Sequence, residues 1–83
     1  MKIIRNKVLI DLKTKKEEYM LVNILFGLVD VISKKEAQLL IRWENEESII
    51  LQNDEEQAFY NALLHRNYIM DREKENSLRL VVL

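Results

Sequence analysis

The sequence predicts a small α+β domain in which a three-stranded antiparallel sheet is followed by two or three helices. Three observations carry this expectation. Residues 19–33, YMLVNILFGLVDVIS, alternate with period two on both sides of Gly27, the only glycine, as two strands joined by a turn do. At Ser33 the period becomes helical, and the change coincides with a Ser-Lys-Lys-Glu capping box whose hydroxyl and carboxylate each satisfy a free backbone N–H. A second helix start is signalled by Asn53 or Asp54 with Glu55 and Glu56 behind it, where the positive end of the helix dipole favours acidic groups.

In chain order, the loosely alternating Ile4, Val8, Ile10 and Leu12 give a first strand over 7–12. Residues 13–18 are polar throughout and read as a solvated loop, longer than a two-residue hairpin. The second strand, 18–24, sends Met20, Val22 and Ile24 to one face and Tyr19, Leu21 and Asn23 to the other, and one of these faces is core. In the third, 28–32, Val29 and Val31 alternate with Leu28, Asp30 and Ile32. Charged Asp30 needs a face or an edge that meets water, which makes this strand an edge. Leu25 and Phe26, large apolar residues at the turn, are expected to fold back over the core rather than dock on a neighbour.

The first helix is expected over 34–43, with Ala37, Leu40 and Ile41 on its apolar face and Leu39 and Trp43 flanking it. Residues 48–52 read as a single helical turn. A helix over 54–66 buries Phe59, Ala62 and Leu63, with Tyr60 and Leu64 one step around, and Asn67 takes the left-handed cap. Residues 68–70 return as a short extended piece. Beyond them the chain is charged to Ser77 and then apolar to Leu83, as a sequence cut from a longer one reads. The expected organisation is therefore a domain over 1–70 and, over 71–83, a charged linker that begins a following segment. A helix is favoured there because Leu78, Val81 and Val82 share a face.

Composition excludes more functions than it supports. With 83 residues, 48% hydrophobic and 33% charged, the chain has room for one folded domain. No apolar run approaches the ~20 residues that cross a bilayer, and the start lacks a sustained signal-peptide core, so a cytoplasmic location is expected. The absence of cysteine excludes disulfides, thiolate catalysis and cysteine-ligated clusters. A net charge of −1 gives no pull toward nucleic acid or anionic membrane. One glycine cannot build a phosphate loop, and His65, the lone histidine, reads as a surface residue at a helix end. Glu44, Glu46, Glu47, Asp54, Glu55 and Glu56 lack the spacing of a calcium loop. No catalytic residue and no metal ligand is expected, and the chain alone is not expected to be an enzyme.

The order of elements is that of a small winged helix-turn-helix, a fold that often binds DNA. Here the helix that would enter the groove opens with Asp54, Glu55 and Glu56 and offers no cation before Arg66, so phosphates would repel it. What remains is a binding module with an edge strand beside an amphipathic helix.

Tyr19, Leu21, Asn23, Gly27, Ser33, Leu40, Phe59, Leu63, Arg66 and Tyr68 form a pattern. It resembles the N-terminal domain of peptide-modifying radical S-adenosylmethionine maturases that carry an auxiliary iron–sulfur domain. A more distant likeness is to the leader-peptide chaperone of pyrroloquinoline quinone biosynthesis and other winged-helix recognition elements of ribosomally made, modified peptides. The resemblance covers about 7–70. Leu25-Phe26 in the turn and Asn67 in place of a glycine depart from it.

The resemblance implies capture of a precursor's leader peptide, which adds as a strand to the third strand and lays apolar side chains into the cleft beside the last helix. Carried over, the docking edge is Leu28, Val29, Asp30, Val31 and Ile32, and Tyr60, Asn61 and Leu64 line the cleft. Tyr60 and Leu64 fit a widened core face equally well. Glu56 and Gln57 are placed to meet a basic leader residue. The partners implied are the leader and a radical S-adenosylmethionine catalytic domain in cis or in trans, with neither nucleic acid nor membrane. S-adenosylmethionine and iron–sulfur clusters would belong to that catalytic domain, leaving no cofactor in this chain. Two rival readings are a DNA-binding regulator and a self-association domain using Leu25, Phe26 and the C-terminal apolar run.

Overall fold

The computed structural model describes residues 1–46 and 48–81, the last three by their backbone. Its elements are β1 (Lys2–Ile3), β2 (Lys7–Asp11), β3 (Glu18–Asn23), β4 (Leu28–Ser33), α1 (Lys34–Glu46), α2 (Asp54–His65), β5 (Ile69–Met70) and α3 (Arg72–Val81). Strands β2, β3 and β4 form an antiparallel sheet in sequence order. Leu9 stands opposite Leu21 and Leu21 opposite Asp30, while Tyr19 faces Ile32. Gly27 has φ 65°, the left-handed backbone that the β3–β4 turn requires and glycine adopts at least cost.

The core face of β3 is the one carrying Tyr19, Leu21 and Asn23; Met20, Val22 and Ile24 face outward. Ile4, Val8, Ile10 and Leu12 do not form one set. Ile4 is fully buried, whereas Val8, Ile10 and Leu12 are each about 40% exposed on the outer face. A bend at Arg5 and Asn6, closed by a hydrogen bond from Lys7 N to Arg5 O, resets the pleat between them.

The capping box forms as expected: Ser33 N donates to the Glu36 carboxylate at 2.9 Å and Glu36 N to Ser33 Oγ at 3.1 Å. The helix runs one turn past 43, and its buried row is Ala37, Leu40 and Trp43, not Ile41, which is 48% exposed. Trp43 decides the rotation, because its ring stacks on Phe59 at 6.0 Å and meets the edge of Tyr60 at 6.5 Å. Residues 48–52 are neither helix nor strand, which corrects the expected turn. Ile49 and Leu51 lie against the core and Ile50 outside, and the Trp43 indole donates to Ile50 O.

Asn53 caps α2 by accepting from Glu56 N at 2.9 Å. At the other end Asn67 takes φ 62°, and Tyr68 N returns to Leu63 O. Of the turn residues, Leu25 packs on the core and Phe26 stays 42% exposed.

The chain beyond Met70 is part of the same body rather than a linker. β1 pairs with β5, Lys2 opposite Met70 and Ile3 opposite Ile69, and α3 begins at once. Glu75 of α3, 1% exposed, accepts from Arg5 N at 2.6 Å, Asn6 N at 2.9 Å, Asn6 Nδ2 at 2.7 Å and Arg72 Nη1 at 2.8 Å. The helix favoured there is present, with Leu78 against the core; the side chains of Val81 and Val82 lie outside the described residues, as does Glu47. The whole is a small α+β domain of three-stranded sheet and three helices in a winged-helix-like arrangement.

Candidate peptide-binding edge and groove

Strand order leaves β4 on an edge, and hydrogen-bond phase decides which of its backbone groups are free. Leu12 N donates to Glu18 O and Ile24 N to Asn6 O, so the even-numbered residues of β3 bond toward β2. Its odd-numbered residues then bond to Leu28, Asp30 and Ile32 of β4. Val29, Val31 and Ser33 consequently turn N–H and C=O outward. Glu36 takes the Ser33 N–H, which leaves Val29 and Val31 as the open donors of the edge.

Beside this edge runs a groove of about 190 Å³ between β4 and α2. Asp30, Val31 and Ile32 form one wall, and Phe59, Ala62, Leu63 and Arg66 form the other. Glu36 and Phe59 continue it into a hollow of about 260 Å³ between α1 and α2, rimmed by Lys35 with Glu55 and Arg42 with Glu56. The exposed Lys35 and Glu55 hydrogen-bond at 2.6 Å, which raises the lysine pKa and lowers the carboxyl's.

Asp30 is half-buried and stands on the inner face. It is tolerated there because Arg66 Nε donates to both of its oxygens, at 3.0 and 3.2 Å, and the Tyr68 hydroxyl donates at 2.9 Å. That hydroxyl also lies 3.2 Å from Leu21 O. Burial pushes the phenol pKa well up, and the bond to Asp30 pushes it further, so Tyr68 stays a neutral donor. Asn23, fully buried, ties the two walls together at this end. Its Nδ2 donates to Arg66 O and Asn67 O, both at 3.0 Å, and its Oδ1 accepts from Leu25 N and Phe26 N.

All five predicted strand residues lie on β4, with Leu28, Asp30 and Ile32 directed inward and Val29 and Val31 outward. The predicted helix residues lie off the groove. Tyr60 packs on Trp43, Leu64 packs on the core, and Gln57 donates to Asn61 on the exposed face of α2. Glu56 is held by Arg42 and by Gln52 N, leaving no free carboxylate for a basic peptide residue. Phe59, Ala62, Leu63 and Arg66 form one helical row, i, i+3, i+4, i+7, so placing Phe59 and Leu63 toward the sheet already implied Ala62 and Arg66 as groove residues.

Among the described residues no group of three or more His, Cys, Asp and Glu is placed to hold a metal ion, and no helix is long and apolar enough to cross a membrane. Compared with protein-family models, curated proteins and solved structures, the chain matches none.

Proposed function

We propose that this chain is a non-catalytic recognition module that captures the leader of a ribosomally made precursor peptide as a fourth strand on β4. It would present that peptide to a radical S-adenosylmethionine maturase in cis or in trans. The observation that carries the reading is the pairing of two outward backbone donors, Val29 and Val31, with an adjoining apolar groove. Backbone pairing supplies register, while alternate peptide side chains descend against Phe59, Ala62 and Leu63. S-adenosylmethionine and iron–sulfur chemistry belong to the maturase in this scheme. DNA binding is disfavoured because the first turn of α2 is acidic, with Asp54, Glu55 and Glu56.

The test is a titration of the full chain with synthetic leaders of precursor peptides encoded beside its gene, followed by amide shifts. Shifts are expected at 28–32 and at 59, 62, 63 and 66, with weak dependence on salt. Val31→Pro deletes one open donor and puts a ring on the edge, so affinity should fall at least about tenfold while the circular dichroism spectrum is kept. Undiminished binding by a folded Val31→Pro, or shifts confined to other surfaces, refutes strand addition.

A further inference from the structure

The side of the sheet facing away from the helices is apolar across all three strands. Val8 and Ile10 of β2, Met20 and Val22 of β3, and Val29 and Val31 of β4 project there in register, Val8 opposite Val22 opposite Val29 and Ile10 opposite Met20 opposite Val31. Val8 and Ile10 are about 40% exposed, and Val29 and Val31 are 56% and 59% exposed. The strand charges Lys7, Asp11 and Asp30 take the opposite parity and point inward; Glu18 and Ser33 close the polar rim.

We infer that this face is an interface with a second copy of the chain, the two sheets stacking face to face about a two-fold axis. Three arguments select that occupant. A two-fold contact sets the same patch against itself, and the one strand charge on this face, Glu18, sits in its last row beside Leu12 and Ser33, so the two central rows meet without juxtaposing like charges. With Leu12 and Ile24 at its ends, the patch exposes on the order of 500 Å² per copy, so stacking removes roughly 1,000 Å², about the least that a specific interface needs. Two apolar sheet faces can also interdigitate at the ~10 Å spacing of packed sheets, nearly aligned. Area alone does not set affinity, but an interface at the lower size limit belongs with the weak, transient contacts, so the dimer is expected to be weak and concentration-dependent. Stacking leaves both β4 edges open, so the inference stands apart from peptide capture.

Sedimentation velocity of the full chain from about 1 µM to 1 mM tests it. The mass should rise from 10.0 kDa toward twice that value. Ile10→Lys, on the strand farthest from the β4 edge, should remain a monomer throughout, while Ile41→Lys, on exposed α1 surface, should dimerise as the parent does. Dilution of the unsubstituted chain gives a readout that no misfolded variant can confuse: methyl shifts should move at Val8, Ile10, Val22 and Val29 and stay fixed at Ile41. A monomer up to 1 mM overturns the inference, as does a dimer that survives Ile10→Lys or dilution shifts that map elsewhere.

Discussion

Glu75→Ala removes the acceptor of four hydrogen bonds at once and leaves Arg5 N, Asn6 N, Asn6 Nδ2 and Arg72 Nη1 without it. Removing one side of a buried charged network costs about 3–5 kcal/mol. A domain of this length holds about 4–12 kcal/mol in total, so the variant should lose a large share of its stability and unfold outright where the parent lies at the low end of that range. Glu75→Gln separates charge from shape. Its amide oxygen can stay where Oε2 serves Arg5 and Asn6, but its NH₂ then meets the Arg72 guanidinium, at a cost of about 1.5–3 kcal/mol. Urea unfolding followed by circular dichroism reads this directly: with a slope of about 1 kcal/mol per molar, the Gln midpoint should drop by about 1.5–3 M.

Acid gives the second signature of that site. Burial alone would raise the Glu75 pKa, yet the hydrogen bonds from Asn6, Arg5 and Arg72 outweigh it and hold the carboxyl below its ordinary 4.5. A depressed folded pKa contributes stability that is complete above the unfolded value and is lost as pH falls through the folded one. The gap between the parent and Glu75→Gln should be flat from neutral pH down to about 4.5 and close below it. A Glu75→Ala variant within 0.5 kcal/mol of the parent, or a gap indifferent to acid, would refute the assignment of α3 to the folded body.

Asn23→Ala should cost about 2–4 kcal/mol in the same urea assay, because two carbonyls at the end of α2 and two turn amides lose their partner together. Gly27→Ala should cost only about 1–2 kcal/mol, all of it backbone, since nothing lies within 4 Å of the added methyl; Gly27→Asn should cost less. Asp30→Asn removes a half-exposed ion pair worth about 1 kcal/mol or less, but its clearer readout is ultraviolet titration. The Tyr68 phenol should ionise at lower pH than in the parent, and still above 10.0, because burial persists. Conversely, the part of stability that comes from Tyr68 is complete below pH 10.0 and drains as pH rises beyond it.

What could be read from the sequence was local. The β3–β4 hairpin, both helix starts and the Asn67 cap depend on residues within a few positions of one another, and each is where alternation, capping chemistry or glycine placed it. Strand phase at β2 was lost because a bend, invisible to periodicity, separates Ile4 from Val8. On α1 Ala37 and Leu40 are buried as expected, and Trp43 replaces Ile41 in the row because its stacking partner, Phe59, is 16 positions away. β4 is an edge, as expected, but not for the reason expected: Asp30 points inward and is served by Arg66 and Tyr68 rather than by water. The α2 wall of the groove follows from the helical row of Phe59 and Leu63, whereas the partners of Asp30 do not, because Arg66 and Tyr68 reach it from 36 and 38 positions away. The charged stretch after Met70 looked like a linker for the same reason: Glu75 finds its donors only across the fold.

The β1–β5 ribbon has a consequence for the order in which the molecule assembles. Neighbouring strands β2, β3 and β4 close short loops, whereas Arg5 and Glu75 are 70 positions apart. Closing so long a loop costs about 2 kcal/mol more entropy than closing a hairpin of a few residues. Formation of that contact is therefore expected after the meander and its helices have shortened the path between the two segments. Its interactions then sit on the native side of the folding barrier, and their loss speeds unfolding while leaving the folding rate nearly untouched. Native-state hydrogen exchange should find the same asymmetry, with the Ile4 amide, bonded to Tyr68 O, opening by a smaller excursion than that of Leu21.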